Sequence, residues 1–238
     1  MLQAQNLTIG YDKNIPLIAD ISFDCRPSEL IVLLGVNGIG KSTLLKTLAG
    51  LISPLSGQVS IDGKDIFSLP ATERAQLISA VFTGRDFDPF ITVREFVTLG
   101  RYPYTNWAAK LSPEDASIVD RAIAIAGLGK LSDKKVNQIS DGERQKTLIA
   151  KSIAQDTPII IMDEPTAFLD YKNKAELLRT IRELCVGHQK IILLSTHDIS
   201  SALPYCDRAF LVTESGRFRE ASGNGLVEEE MKQFMEAN

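Results

Sequence analysis

Several residue types that often mark function are scarce in this chain of 238 residues. Only three cysteines and two histidines are present. The cysteines have neither metal-binding nor redox spacing, which favours reduced, mostly buried thiols. The formal net charge is −4, whereas dedicated nucleic-acid binders usually carry a basic excess. These shortages favour a cytoplasmic protein without a nucleic-acid partner.

Sequence that would direct the chain into a membrane is also missing. Residues 1–6 have neither a charged n-region nor an apolar h-region, so no secretory signal is expected. No apolar run approaches the roughly 20 residues that cross a bilayer. Hydrophobic residues make up 44% and charged residues 24% of the chain, which is an ordinary globular composition. Any role at a membrane is therefore expected to come through a partner.

The most informative stretch is a glycine-rich turn that ends in Lys-Ser. An apolar run at 30–34 predicts a buried strand before it, and residues 43–49 predict a helix after it. Strand, glycine-rich turn, Lys-Ser and helix form the context of a phosphate-binding P-loop. Backbone N–H groups and the helix N-terminus favour the anion, Lys41 is predicted to reach the β- and γ-phosphates, and Ser42 to ligate Mg²⁺. The alternative is a strand–turn–helix with an unrelated lysine. The turn consists of Gly35, Val36, Asn37, Gly38, Ile39, Gly40, Lys41 and Ser42.

Two carboxylates follow a second apolar strand, at 159–162. Asp163 and Glu164 are predicted at its C-terminal end, where open parallel sheets bind ligands. Asp163 is suited to hold Mg²⁺ beside the P-loop, and Glu164 to orient and deprotonate a water molecule that attacks the γ-phosphate. The alternative is a strand that runs into an acidic turn.

His197 follows a third apolar strand, at 190–195. A histidine at this position could donate to the γ-phosphate or hold the attacking water. The alternative is an ordinary surface or core histidine.

Residues 139–145 precede a further predicted helix and have two interpretations. Ser140 and Glu143 fit a capping box. The same helix N-terminus, with Ser140 and the Gly142 backbone, could instead bind a nucleotide phosphate. Spacing alone does not decide between them.

The motifs together resemble the ATP-binding subunit of an ABC transporter over nearly the whole chain. Residues 35–42 match the Walker A motif, 139–143 resemble the LSGGQ signature, 159–164 match Walker B, Ala167–Asp170 resemble the D-loop, and His197 resembles the switch histidine. The resemblance implies an α/β P-loop NTPase with a mixed sheet core and an N-terminal antiparallel β subdomain. Residues 1–82 and 156–238 would form the nucleotide-binding core, and 83–155 an inserted helical subdomain.

The resemblance also implies the ligands and partners. ATP with Mg²⁺ would lie between one subunit's P-loop, including Thr43, and the signature helix of a second copy in a head-to-tail homodimer. Tyr11 would stack on the adenine. Integral membrane permease subunits would be direct partners, and an extracytoplasmic substrate-binding protein an indirect one, which places the chain peripherally on the cytoplasmic side of the inner membrane. The implied signature contacts are Ser140, Asp141, Gly142 and Glu143.

Two departures from the family pattern affect the expected rate of ATP hydrolysis and its expected coupling to the membrane partner. The family usually has a glutamine at the end of the strand that precedes the helical region, and this chain has none there. Thr83 is the best match for that position, and its hydroxyl is the expected metal ligand. The signature reads Ser-Asp-Gly-Glu in place of Ser-Gly-Gly-Gln, so Asp141 adds negative charge near a phosphate.

The transported ligand is suggested by residues 91–103, which resemble importers for iron–siderophore complexes, haem and cobalamin. The alternative is that these residues only pack the helical region. The loop 83–90, with Phe87 and Phe90, is the expected docking surface for a permease. Competing hypotheses are a soluble ABC-type ATPase in DNA repair or translation, a small-molecule P-loop kinase, and a nucleotide-binding regulator with weak turnover.

Overall fold

The chain folds around two β-sheets. The computed structural model describes residues 1–82, 88, 90–105, 110–167, 169–222 and 228–236. The first sheet is antiparallel, with strand order β2-β1-β4-β5. Its strands are β1 (Leu2–Ile9), β2 (Ile18–Cys25), β4 (Ser56–Ile61) and β5 (Lys64–Asp65).

The second sheet has six strands in the order β10-β9-β3-β8-β7-β6. All neighbours are parallel except β10, which runs antiparallel to β9. The predicted α/β fold, with a mixed sheet and an N-terminal antiparallel sheet, is therefore confirmed. The strands are β3 (Leu30–Gly35), β6 (Ile78–Val81), β7 (Ile159–Met162), β8 (Ile191–Ser195), β9 (Arg208–Val212) and β10 (Phe218–Ser222).

Helices cover the second sheet. Within the described ranges, none is long and apolar enough to cross a bilayer. The sequence pattern does not predict the helix Ala71–Leu77, because this helix buries no residue and so lacks an amphipathic stripe. The helices are α1 (Lys41–Leu48), α2 (Ala71–Leu77), α3 (Val93–Thr98), α4 (Pro113–Ile125), α5 (Asp141–Gln155), α6 (Tyr171–Gly187), α7 (Ile199–Ala202) and α8 (Glu228–Glu236), with short 3₁₀ helices at Leu99–Tyr104, Gly129–Leu131, Val136–Gln138 and Leu203–Tyr205.

Alternate residues of the central strands enter two different hydrophobic cores. In β3, Leu30, Val32 and Leu34 pack with residues of helices α3 to α6. Ile31 and Leu33 pack on the opposite face with α1 and the antiparallel sheet. A strand buried on both faces must be apolar throughout, which explains the continuous apolar runs in the sequence.

Capping boxes begin three of the helices, and the one at Ser140 is predicted from the sequence. Thr92 caps α3, Ser112 caps α4 and Ser140 caps α5. Helix α3 ends at Thr98, and the chain continues through Gly100 as the 3₁₀ helix Leu99–Tyr104. Helix α5 passes so close that a Cβ atom on Gly100 would lie 2.4 Å from the Lys151 carbonyl oxygen. Glycine is required there for close packing.

The C-terminal end of α5 is hydrogen-bonded to helix α2 and to the strand β6. The Gln155 side-chain amide donates to the Ala75 and Ile78 carbonyls, at 2.6 and 3.0 Å. One turn earlier, the buried Ser152 and Ser79 hydroxyls lie 2.8 Å apart. The helix that begins at the signature motif is therefore held at its far end by the edge of the parallel sheet.

Candidate nucleotide site

Three neighbouring strands bring the predicted site residues to one edge of the sheet. Strand β8 pairs in parallel with β3 on one side and with β7 on the other. The P-loop follows β3, the two carboxylates follow β7 and His197 follows β8. Because the carboxyl ends of parallel strands meet at the same edge, sequence segments more than 100 residues apart converge there.

The P-loop backbone uses two of its glycines in conformations that side chains disfavour. Gly38 has φ +85° and Gly40 has φ +109°. Gly40 is the N-cap of α1 and supplies no side-chain hydrogen bond. The first N–H groups of α1 are therefore left for an anion to accept.

Lys41 is folded onto the loop that precedes it. Its side-chain amine donates to the Gly35 carbonyl at 2.7 Å and to the Val36 carbonyl at 3.1 Å. Burial lowers the pKa of Lys41, and the neighbouring Glu164 and Asp163 carboxylates oppose that shift. A phosphate offers an ammonium group a stronger, charged acceptor than two neutral carbonyls, so Lys41 is placed to change partners when nucleotide enters.

An open cleft joins the P-loop to the carboxylates. Ile39 is the P-loop residue whose side chain packs against the hydrophobic core and not into this cleft. Only its backbone is therefore available to a phosphate. Gly35 and Val36 line a neighbouring cavity, which shares Asn37 with the cleft and reaches His197. The cleft is lined by Asn37, Gly38, Gly40, Lys41, Ser42, Thr43, Asp163 and Glu164.

The two carboxylates are held by backbone and side-chain contacts. Asp163 is buried, and its N–H donates to the Val81 carbonyl at 2.7 Å. The Ser195 hydroxyl donates to Asp163 Oδ1 at 2.6 Å. Glu164 has φ +50°, a left-handed conformation that costs a non-glycine residue about 1 kcal/mol or more. Its N–H donates to Ser195 Oγ at 2.9 Å.

His197 contacts the carboxylate predicted to act as the base. Its Nδ1 lies 3.0 Å from Glu164 Oε2. The His197 side chain is 63% exposed and that of Glu164 is 20% exposed. The pair therefore lies at the mouth of the cleft, where a substrate phosphate and its attacking water could reach both groups.

Tyr11 lies beside the first turn of α1. Its hydroxyl is 3.2 Å from Thr43 Oγ1, while the residue as a whole is 72% exposed. The ring is therefore fixed at one end and open on its faces, which suits stacking against a planar base.

The signature residues form a closed capping box. Ser140 Oγ and N–H both donate to Glu143 Oε2 at 2.8 Å, and the Glu143 N–H donates back to Ser140 Oγ at 3.3 Å. These bonds hold the pKa of Glu143 below its ordinary value. Asp141 pairs with Arg144 at 2.8 Å. The residues that line the P-loop cleft include none of 140–143, so a single chain does not bring the two motifs together.

The oxygen donors in the cleft fit Mg²⁺. Mg²⁺ is typically held by one or two protein oxygens together with phosphates and water. The Ser42 hydroxyl and the Asp163 carboxylate line the same cleft, and the described part of the chain has no larger cluster of acidic, histidine or cysteine ligands. The third predicted metal ligand, Thr83, lies outside the described residues, as do Phe87 and, in the D-loop, Phe168.

The chain matches a known protein family over more than half of its length. Residues 18–167 match the family model described as ABC transporter. The chain belongs to the ABC transporter family. Its predicted P-loop fold and ATPase class are therefore confirmed, and a small-molecule kinase is set aside.

Curated relatives are similar over nearly the whole chain. The achromobactin transport ATP-binding protein CbrD of Dickeya dadantii is 35% identical over 96% of this chain and 84% of its own length. The petrobactin import ATP-binding protein FpuD of Bacillus anthracis is 32% identical over 97% of this chain and 84% of its own. The ferric enterobactin transport ATP-binding protein FepC of Escherichia coli is 31% identical with the same coverage.

Solved structures agree with this ABC ATPase assignment. One is a dimeric ATP-binding cassette in a post-hydrolysis state, bound to ADP and Pi. It matches with a TM-score of 0.82 and 27% identity, over 93% of this chain and 98% of that one.

Ser195 is a residue of the site that the sequence motifs do not identify. Its signal is present in the sequence, because a single hydroxyl ends an otherwise apolar strand (Ile-Ile-Leu-Leu-Ser) beside the two motif strands. Its partners are distant in sequence, so only the fold identifies them.

Proposed function

We propose that this chain is the ATP-hydrolysing subunit of an importer for metal chelates, such as iron–siderophore complexes, haem or cobalamin. The observation that carries the proposal is the contact between Glu164 and His197 at the cleft formed by the P-loop. The names of the relatives, which include petrobactin import and ferric enterobactin transport, support the ligand class.

Each residue at the cleft has a distinct part in hydrolysis. The P-loop N–H groups bind the phosphates, and Lys41 exchanges its carbonyl partners for phosphate oxygens. Glu164 accepts a proton from the attacking water, and His197 keeps that water and the terminal phosphate aligned. Ser42 and Asp163 would hold Mg²⁺, which supplies positive charge against the phosphates when bound. Tyr11 stacks on the adenine.

The site is completed by a second copy of the chain. Because the signature residues do not line the P-loop cleft of their own chain, Ser140 and Gly142 would contact ATP from the partner subunit. The similarity to a dimeric cassette supports this arrangement. ATP binding would close the dimer and hydrolysis would reopen it, with residues 83–155 moving as a helical subdomain.

The remaining partners are integral membrane permease subunits, with a substrate-binding protein acting indirectly from the other side of the inner membrane. Phe90, which is 75% exposed, belongs to the surface proposed for permease docking. Copurification with a permease would support this part of the proposal. Copurification with ribosomes or DNA, and no permease, would favour a soluble ABC-type ATPase.

The decisive variant for hydrolysis is Glu164→Gln. It keeps the shape of the side chain but cannot accept a proton, so ATP should still bind and closed dimers should accumulate. Phosphate release should fall by about 100-fold or more. Glu183→Gln, the same change at an exposed position of α6, is the matched control. Normal turnover in Glu164→Gln would remove Glu164 as the base, and slow release already in the unaltered protein would favour a nucleotide-binding regulator.

A further inference from the structure

The buried hydroxyl of Ser195 connects the Asp163 carboxylate to the backbone of Glu164. Ser195 is the last residue of β8 and is 0% exposed. Strand β8 lies between the strand that leads into the P-loop and the strand that leads into Asp163. A hydroxyl that is fully buried destabilises the fold unless it is hydrogen-bonded. The hydrogen-bond partners of Ser195 therefore explain why a serine is tolerated at this position.

Both partners of the hydroxyl belong to the turn formed by Asp163 and Glu164, directly after β7. The hydroxyl proton is donated to Asp163 Oδ1 at 2.6 Å, and the oxygen accepts the Glu164 N–H at 2.9 Å. One side chain therefore fixes the carboxylate of one residue and the backbone of the next. Oδ1 accepts this hydrogen bond, whereas the hydrogen bonds of the described residues include none to Asp163 Oδ2.

The backbone at Glu164 needs such a restraint. Its φ of +50° is left-handed, and a glutamate keeps that conformation only where its surroundings impose it. The hydrogen bond from its N–H to Ser195 is one such constraint. The conformation places the Glu164 carboxylate 3.0 Å from His197 Nδ1, so a relaxed turn would move the base away from the histidine.

We propose that Ser195 is a positioning residue for ATP hydrolysis. It directs Asp163 Oδ2 towards the metal position, and it holds the turn that presents Glu164 to the attacking water. The inference rests on the proposed function. Within the described part of the chain, the hydrogen bonds of the Ser195 hydroxyl go to Asp163 and Glu164 and not to the P-loop. Removal of this hydroxyl should therefore weaken Mg²⁺-dependent binding and turnover, while nucleotide binding without Mg²⁺ should be kept.

The test is Ser195→Ala with two comparison variants. Ser195→Thr keeps a hydroxyl at the same position. Ser79→Ala is the matched control, because Ser79 is also a fully buried strand serine whose hydroxyl bonds one neighbour, Ser152, at 2.8 Å. Its partner is on α5 and not in the cleft, so this control reports the loss of a buried hydroxyl alone.

The readouts are turnover and the binding of the non-hydrolysed analogue AMP-PNP, measured in EDTA and in Mg²⁺. In Ser195→Ala, affinity in EDTA should stay within about twofold, while the gain in affinity from Mg²⁺ and the turnover number should both fall by about 10- to 100-fold. Ser195→Thr should recover most of both. Ser79→Ala should keep the Mg²⁺ dependence even if its unfolding midpoint falls.

Unchanged Mg²⁺ dependence and turnover in Ser195→Ala would overturn the inference, and so would an equal loss in Ser79→Ala. Glu164→Gln is measured in parallel to separate this failure from that of the proposed function. If Glu164→Gln loses turnover and Ser195→Ala does not, only the role of Ser195 is wrong. If Glu164→Gln also turns over normally, the hydrolytic site itself is misassigned.

Discussion

Replacing Gly100 with alanine should destabilise the protein through contact with α5. The added Cβ would lie 2.4 Å from the Lys151 carbonyl oxygen and 3.0 Å from the Gln155 nitrogen. Ordinary contact begins at 3.4 Å, so the two elements must separate by about 1 Å. Both of these atoms belong to the backbone, and neither can rotate away as a side chain would.

The magnitude follows from two opposing effects. Overpacking of this kind costs about 3 kcal/mol at the upper end of its usual range, and the lower chain entropy of unfolded alanine returns about 1 kcal/mol at most. The net loss of about 2 kcal/mol should lower the thermal midpoint by about 4–8 °C in a chain of this size.

Thermal and urea unfolding of Gly129→Ala provides the comparison. Gly129 has ordinary φ, and a Cβ atom added there would meet no other atom within 4 Å, so alanine should stabilise the protein by about 0.4–1 kcal/mol. The two variants should therefore shift the midpoint in opposite directions. A Gly100→Ala protein at least as stable as the unaltered one would refute the close-packing argument.

Three further predictions concern charged groups. Arg101→Ala should cost about 3 kcal/mol in urea unfolding, because it leaves the buried Asp115 carboxylate without its ion-pair partner; a loss below about 1 kcal/mol would contradict this. The pKa of Glu143 is held below its ordinary value of 4.5 by the capping serine, so its contribution to stability is complete above pH 4.5 and is lost as the pH falls through the lower folded-state pKa. Glu143→Gln should remove that part of the acid dependence, and an unchanged pH profile would show that the carboxylate does not contribute. Asp141→Asn should lower the KM for ATP severalfold, since in the proposed dimer it removes negative charge next to a phosphate and frees Arg144; an unchanged KM would place the carboxylate away from the nucleotide.

Much of the candidate site can be predicted because its signals are local. The P-loop is a contiguous pattern, and the strands before Asp163 and His197 are contiguous apolar runs. Parallel pairing then brings their ends together by topology alone. Capping boxes are equally predictable, since both partners lie within one turn of the same helix.

The remaining features depend on residues far apart in sequence. Nothing near Gly100 in the sequence reveals that the Lys151 carbonyl lies within contact distance of it. In the sequence, Arg101 is only one charged residue of the segment 91–103, although its guanidinium donates to the Asp115 carboxylate and to the Ala154 carbonyl, both at 2.9 Å. Each of these contacts is created by the packing of α5 and its neighbours, which no local pattern encodes.

Because α5 is hydrogen-bonded at its C-terminal end, a small rotation about that end produces a large displacement at its N-terminal end. Its 15 residues span about 22 Å at about 1.5 Å per residue. With Gln155 held against the Ala75 and Ile78 carbonyls, a rotation of about 10° around that end would carry Ser140 through about 4 Å, by the same helix length. A displacement of that size exceeds the length of a hydrogen bond, so a small angular change at the sheet edge is enough to make or break a contact at the opposite tip.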